Sequence, residues 1–156
     1  MIKIDFELSS IAFHSEGKIP DIYTCKGKKI SPPLSWKNIP KGTKSFALIM
    51  DDLDTPIGIL NHWILYNIPP DKTELPEDIP HQEQLFNGII QGKNSMKKNK
   101  YLAPCPPFGN HRYLFKIYAL DIMLKIIPKM NKKRLLKSIK GHILKDSLLI
   151  GKYSKK

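Results

Sequence analysis

The chain has 156 residues and a formal net charge of +12. Its length fits a single domain spanning 1–156, large enough to bury roughly two-thirds of its unfolded surface without metals or disulfides. Only Arg112 and Arg134 are arginines, so the charge is nearly all lysine, which attracts anions but lacks the bidentate fork that reads base edges. The lysines gather at 93–100, 129–140 and the tail with little aromatic interleaving. That pattern predicts a solvated surface and no nucleic-acid partner. The first residues carry acids and no signal-like apolar stretch, and no run approaches the roughly 20 apolar residues of a membrane-spanning helix. A soluble, cytoplasmic protein without a transmembrane segment is expected.

In chain order, residues 19–36 combine a short β-branched and aromatic run with turn residues, and read as strand, turn and strand edge. Trp36 reads as core. Residues 45–50, Ser-Phe-Ala-Leu-Ile-Met, form an apolar run expected to be a strand buried on both faces. Asp51, Asp52, Leu53, Asp54, Thr55 and Pro56 follow. Taken alone they read as a solvated acidic turn; if the chain stays extended, Asp52 and Asp54 share a face and Pro56 stops the ladder. His62 opens the next strand, which Pro69 and Pro70 end. Residues 70–81 have neither helical nor strand period and form a surface loop. A strand could begin at Leu85 or later. From Arg112 to Leu120 the pattern places Tyr113, Phe115, Ile117 and Ala119 opposite Leu114, Lys116, Tyr118 and Leu120, with bulk on both faces as in an inner strand. Beyond Pro128, Asn131 caps a helix carrying Leu135, Ile139 and His142 or Ile143 at helical spacing, with Gly141 near its end. Residues 146–153 fit a final strand or a short helix. The sum is a mainly β fold, two antiparallel sheets with a late helix.

Cys25 and Cys105 stand far apart, without Cys-x-x-Cys spacing or nearby histidines, which argues against structural zinc. Free, buried thiols are expected in a cytoplasmic protein; a bridge suits a hyperthermophile source.

The chemistry concentrates at residues 104–113, Pro-Cys-Pro-Pro-Phe-Gly-Asn-His-Arg-Tyr. Three prolines and a glycine within six residues impose a shaped loop, and a strand starting by His111 points that imidazole and the Tyr113 phenol the same way. With Asp52 and His62 at other strand ends, these side chains could converge. A carboxylate beside two imidazoles would raise their pKa values, and imidazolium plus phenol could hydrogen-bond a phosphate-like anion, helped by loop amides near Gly109. The same groups could serve as general acid and base. No Gly-x-Ser-x-Gly elbow, phosphate-binding Gly-rich loop or His-Glu-x-x-His helix is present, and no nucleophile stands out; Cys105, set between prolines, reads as structural. Asp52, Asp54, His62 and His111 are suitable metal ligands by type, but they lie in different strands and their spacing carries no metal signature, so a metal ranks below an anion.

Taken together, Tyr-Thr-Cys-Lys-Gly at 23–27, Ser-Pro-Pro-Leu-Ser-Trp at 31–36, Asp-Leu-Asp-Thr-Pro at 52–56, His-Trp-Ile-Leu-Tyr-Asn-Ile-Pro at 62–69, the 104–113 segment and Gly-His-Ile-Leu at 141–144 resemble the phosphatidylethanolamine-binding proteins, in their compact bacterial and archaeal branch. The resemblance spans nearly the whole chain. It implies a β-sandwich with a small anion pocket at one end for phosphate, acetate-like ions or phospholipid headgroups. By motif position, Asp52, Pro56, His62, His111 and Tyr113 line that pocket and Pro107 and Gly109 form its rim. It also implies a homodimer and a regulatory or inhibitory role toward a kinase or serine protease, with no cofactor and no catalytic or metal residue assigned. Leu53 departs from the proline usual in the Asp-Pro-Asp-x-Pro motif, and Ala103 from the glycine that often precedes Pro-Cys-Pro-Pro. A hydrolytic enzyme using the Asp/His/Tyr set and a lysine-rich adaptor for acidic partners are the alternative functions.

Overall fold

The computed structural model describes residues 4–155. Strands β1 (Glu7–Ser9), β2 (Gly17–Lys18), β3 (Leu34–Lys37), β4 (Ser45–Thr55), β5 (Gly58–Ile68), β6 (Glu74–Leu75), β7 (Ile90–Gln91), β8 (Asn110–Leu120) and β9 (Ile143–Ser154) form two sheets, with one α-helix, α1 (Lys132–Ile139). The smaller sheet has the order β1-β3-β6 and the larger β2-β9-β8-β4-β5-β7.

Alternation on the long strands decides what each face meets. Phe46, Leu48 and Met50 of β4 and Tyr113, Phe115, Ile117 and Ala119 of β8 point inward, where they pack with Phe6, Leu8 and Trp36 from the smaller-sheet side. The intervening residues Ala47, Ile49, Tyr118 and Leu120 point outward and are covered by Leu124, Met130 and the Leu135 and Ile139 stripe of α1. Each large side chain withdrawn from water contributes about 1.5–3 kcal/mol, so both faces of the central strands have a reason to be apolar. The expected two-sided burial of β4, the alternation of β8 and the core position of Trp36 all hold.

Several boundaries differ from expectation. Residues 21–23 form a 3-10 turn rather than a strand, because the Thr24 N–H and hydroxyl both bond the Asp21 carbonyl and close the turn locally. Residues 51–55 are strand, not turn: β8 pairs with β4 through Asp52↔Tyr113 without a break, so the ladder carries the acidic residues beyond the apolar run. β5 begins at Gly58, four residues before His62. After Leu85 the chain makes a 3-10 turn before the two-residue β7. The helix stops at Ile139; Gly141 takes φ 84°, and Ile143 already starts β9. Asn131 caps it as expected, its Oδ1 accepting the Arg134 N–H at 3.0 Å. The ambiguous last segment is strand, because it pairs along nearly the whole of β8.

The sheets are antiparallel except for one edge: β2 runs parallel to β9. Gly151 permits that crossing, since a Cβ there would stand 2.5 Å from Ile19 Cγ1 and 2.9 Å from Phe13 Cε2. No helix among the described residues is long and apolar enough to cross a membrane.

Candidate functional site

Three strand ends meet on the inner face. Asp52 closes the inward series of β4, Tyr113 lies directly opposite it on β8, and His111 precedes Tyr113 by one inward step. His62 arrives by a different route. In the β4–β5 ladder Met50 pairs with Trp63 and Asp51 with Asn61, leaving His62 as the extra residue of a bulge. The bulge resets the alternation, so Asn61 faces outward against Asp51 while His62 turns inward onto Tyr113, their rings 5.3 Å apart edge to face.

The four expected polar residues are therefore adjacent and buried, with relative exposures of 3% for Asp52, 4% for His62, 6% for His111 and 0% for Tyr113. His111 donates from Nδ1 to Asp52 Oδ2 at 2.7 Å, and its ring stacks on Tyr113 at 6.4 Å. The other Asp52 oxygen accepts the Asp54 N–H at 2.9 Å. His62 is tied elsewhere: its Nδ1–H donates to the Leu102 carbonyl at 2.6 Å, while its buried Nε2 has no hydrogen-bond partner. Since a carbonyl only accepts, that contact fixes the neutral tautomer and leaves Nε2 as an acceptor.

The electrostatics correct one expectation. Burial pushes the His62 pKa down, outweighing the Leu102 contact and the neighbouring Asp52 carboxylate, so the expected rise fails at this residue. Burial first, then the Asp52 charge, raises the Tyr113 pKa, keeping its phenol protonated. At the rim, Arg112 clamps Asp54 with Nε and Nη2, each at 2.9 Å, and holds that carboxyl down at about 2.

Because the folded state resists the His62 imidazolium, the unfolded chain takes up the proton first as pH falls through about 6.5. Stability contributed by neutral His62 is thus complete above that pH and lost below it. His62→Gln should show a smaller fall in urea midpoint between pH 7.5 and 5.5 than the parent chain; equal falls would show that His62 does not drive this dependence.

A cleft of about 600 Å³ opens above this cluster, lined by Asp54, Phe108, Gly109, Asn110, His111, Arg112 and Lys152. Of the buried four, only His111 lines it; Asp52, His62 and Tyr113 lie outside its lining. Gly109, with φ 73°, shapes the turn into β8. Pro107 is exposed beside Phe108, and Pro56 sits on the exposed β4–β5 turn, neither in the cleft lining. Leu53 is half-buried within β4, and Ala103 packs partly against the core. Sequence reasoning missed Arg112, Lys152 and Tyr153. Tyr153 pairs with His111 across β8–β9 and donates its hydroxyl to Asp21 at 3.0 Å; only the strand reading of 146–153 could have placed it there. Among the described residues no three His, Cys, Asp or Glu side chains converge as metal ligands.

The cysteines are bonded to each other, with Cα atoms 5.4 Å apart, which overturns the expectation of free thiols. Nor are they deeply buried: Cys105 is exposed and Cys25 half-buried. Their segments meet because the Cys25 N–H donates to the Pro104 carbonyl at 3.1 Å and the Tyr101 hydroxyl to the Tyr23 carbonyl at 2.8 Å. The bridge tethers the loop that leads to His111.

Comparison with known proteins agrees with this architecture. The family model described as phosphatidylethanolamine-binding protein matches residues 9–154. A UPF0098 protein of Methanothermobacter thermautotrophicus is 47% identical over 146 residues, covering 94% of this chain and 97% of that one. The crystal structure of a phosphatidylethanolamine-binding protein homologue from Chlamydia trachomatis is similar with a TM-score of 0.90 at 39% identity, over 97% of this chain and 98% of that one. E. coli YbcL, described as a new member of the mammalian family, also gives 0.90, at 26% identity over 98% and 100% of the two chains. Sequence match and structural likeness lead to one conclusion: the chain belongs to the phosphatidylethanolamine-binding protein family.

Proposed function

We propose that the cleft above His111 binds a small phosphate- or carboxylate-bearing anion, and that the occupied protein regulates a partner such as a kinase or a serine protease. The buried Asp52–His111 pair carries this reading. With Nδ1 committed to the carboxylate, the ring is held in one orientation and Nε2 is the nitrogen left for a ligand. Arg112 and Lys152 line the same cleft and can turn toward a ligand's negative charge, each being paired at present with an exposed or half-buried acid, Asp54 and Glu16. The protonated Tyr113 behind the pair acts as packing and donor, not as a base.

Calorimetric titration with phosphate, acetate and phosphorylethanolamine should give saturable binding that disappears in His111→Ala. No binding of any of the three would reject the pocket.

A hydrolytic reading has one specific observation in its favour: a carboxylate orienting an imidazole is the arrangement of a general base. Phosphoester turnover abolished by both Asp52→Asn and His111→Gln would establish it, and turnover indifferent to both would identify a contaminant. We place the protein in the cytoplasm as a homodimer. The Cys25–Cys105 bridge must then persist inside a cell, as bridges do in hyperthermophiles. Sedimentation at twice the 17.9 kDa chain mass supports the dimer, and sedimentation at the chain mass rejects it.

A further inference from the structure

The geometry points to a second anion site, on the outer face of the larger sheet, that takes a small polyol or sugar carrying two phosphates. The site is a cleft of about 790 Å³ between the start of α1 and the turn at 93–97, independent of the His111 cleft and sharing no lining residue with it. Six cations line it: Lys93, Lys97, Lys129, Lys132, Lys133 and Arg134. Only Lys132 meets a carboxylate among the described residues, Asp51 at 2.6 Å. Some lysines elsewhere, Lys18, Lys37, Lys116 and Lys152, each face an acid. A general lysine excess spreads its charge; here it is concentrated in a concavity and left uncompensated, which favours a multiply charged anion.

Asn61 supplies the second observation. The β5 bulge turns it outward into this cleft, where it is 6% exposed. Its Nδ2 is spent on the Met50 carbonyl at 3.1 Å, Asp51 Oδ1 at 3.0 Å and, more weakly, the Trp63 carbonyl at 3.4 Å, and its Oδ1 has no hydrogen-bond partner. Because all three partners of Nδ2 are acceptors, the amide cannot be reversed, and a buried acceptor remains unfilled on a residue that lines the cationic cleft. A ligand offering a hydroxyl beside its phosphates answers both features. The first turn of α1 adds its positive end, with no acid in that turn. The lining contains no aromatic ring, which removes the stacking platform a nucleobase would use.

Fructose bisphosphate and inorganic pyrophosphate are the probes, titrated calorimetrically into the whole chain at low ionic strength. Fructose bisphosphate should bind saturably and more tightly than pyrophosphate, which lacks the hydroxyls. The double change Lys97→Glu with Lys133→Glu should weaken it by at least about tenfold, whereas His111→Ala should leave it within about twofold. Both lysines are exposed and unpaired among the described residues, so folding should be retained, as an unchanged urea midpoint would verify. If the double variant nevertheless misfolds, Lys97→Gln with Lys133→Gln gives the same test with a smaller loss. Absent binding of both probes, binding kept by a folded double variant, or binding lost in His111→Ala alone would each overturn the assignment. So would retention of duplex DNA through these lysines without sugar-phosphate binding, which would make the surface a nucleic-acid contact.

Discussion

Replacing Asp52 with alanine should lower the unfolding free energy by about 3 kcal/mol, because the change leaves the inward-facing Nδ1–H of His111 without its acceptor and opens a void beside it. Asp52 and His111 are 3% and 6% exposed and bonded at 2.7 Å. The same change removes the acceptor for the Asp54 N–H. For a chain of this size the loss corresponds to a melting temperature lower by about 6–12 °C. Asp52→Asn keeps the shape and an oxygen able to accept from Nδ1, so it should cost only about 1 kcal/mol. Urea unfolding at pH 7.5 separates the two substitutions. Equal midpoints for Ala and Asn would mean that the pair contributes no directional interaction and that the site holds together by packing alone.

Opening the Cys25–Cys105 bridge is the other large effect. The two residues are 80 positions apart, and constraining so long a segment of the unfolded chain stabilises the fold by about 4.5 kcal/mol in the chain-entropy account. Reductant, or Cys25→Ser with Cys105→Ser, should therefore lower the melting temperature by about 10 °C. Phosphate affinity should fall as well, since Cys105 begins the loop that shapes the His111 cleft. A fully reduced chain, verified by two reactive thiols, with an unchanged midpoint would remove the bridge from the stability account.

How far the sequence spoke depended on the range of the interaction involved. Local patterns were legible: the alternation of β8 placed His111 and Tyr113 on one face, and Asn131 marked the start of α1. The mainly β class followed from the same regular patterning. Longer-range features were not. Whether residues 51–55 form turn or strand depends on the partner strand β8, which a run of aspartates cannot announce. His62 reaches the inner face only through a bulge set by pairing with β4; plain alternation from Trp63 would have sent it outward. The disulfide joins segments that sequence leaves 80 residues apart, and its pairing is decided by the contact of 101–105 with 23–25. The direction of the His62 shift was missed for a related reason. Proximity to Asp52 was foreseen, but the depth of burial that outweighs it is a property of the assembled core. Asp54 shows the opposite balance, because its Arg112 clamp sits at the surface, where burial opposes ionisation less strongly.

The most direct test of an anion receptor at the sandwich end is the nitrogen resonance of His111 Nε2, followed by NMR during phosphate titration. A saturable shift at Nε2, with Nδ1 still bonded to Asp52 and no such shift in Asp52→Ala, is the predicted result. An Nε2 resonance that stays fixed while phosphate perturbs only the lysine-lined cleft at 93–97 would contradict the account, and would leave the Asp52–His111 pair as a brace of the fold.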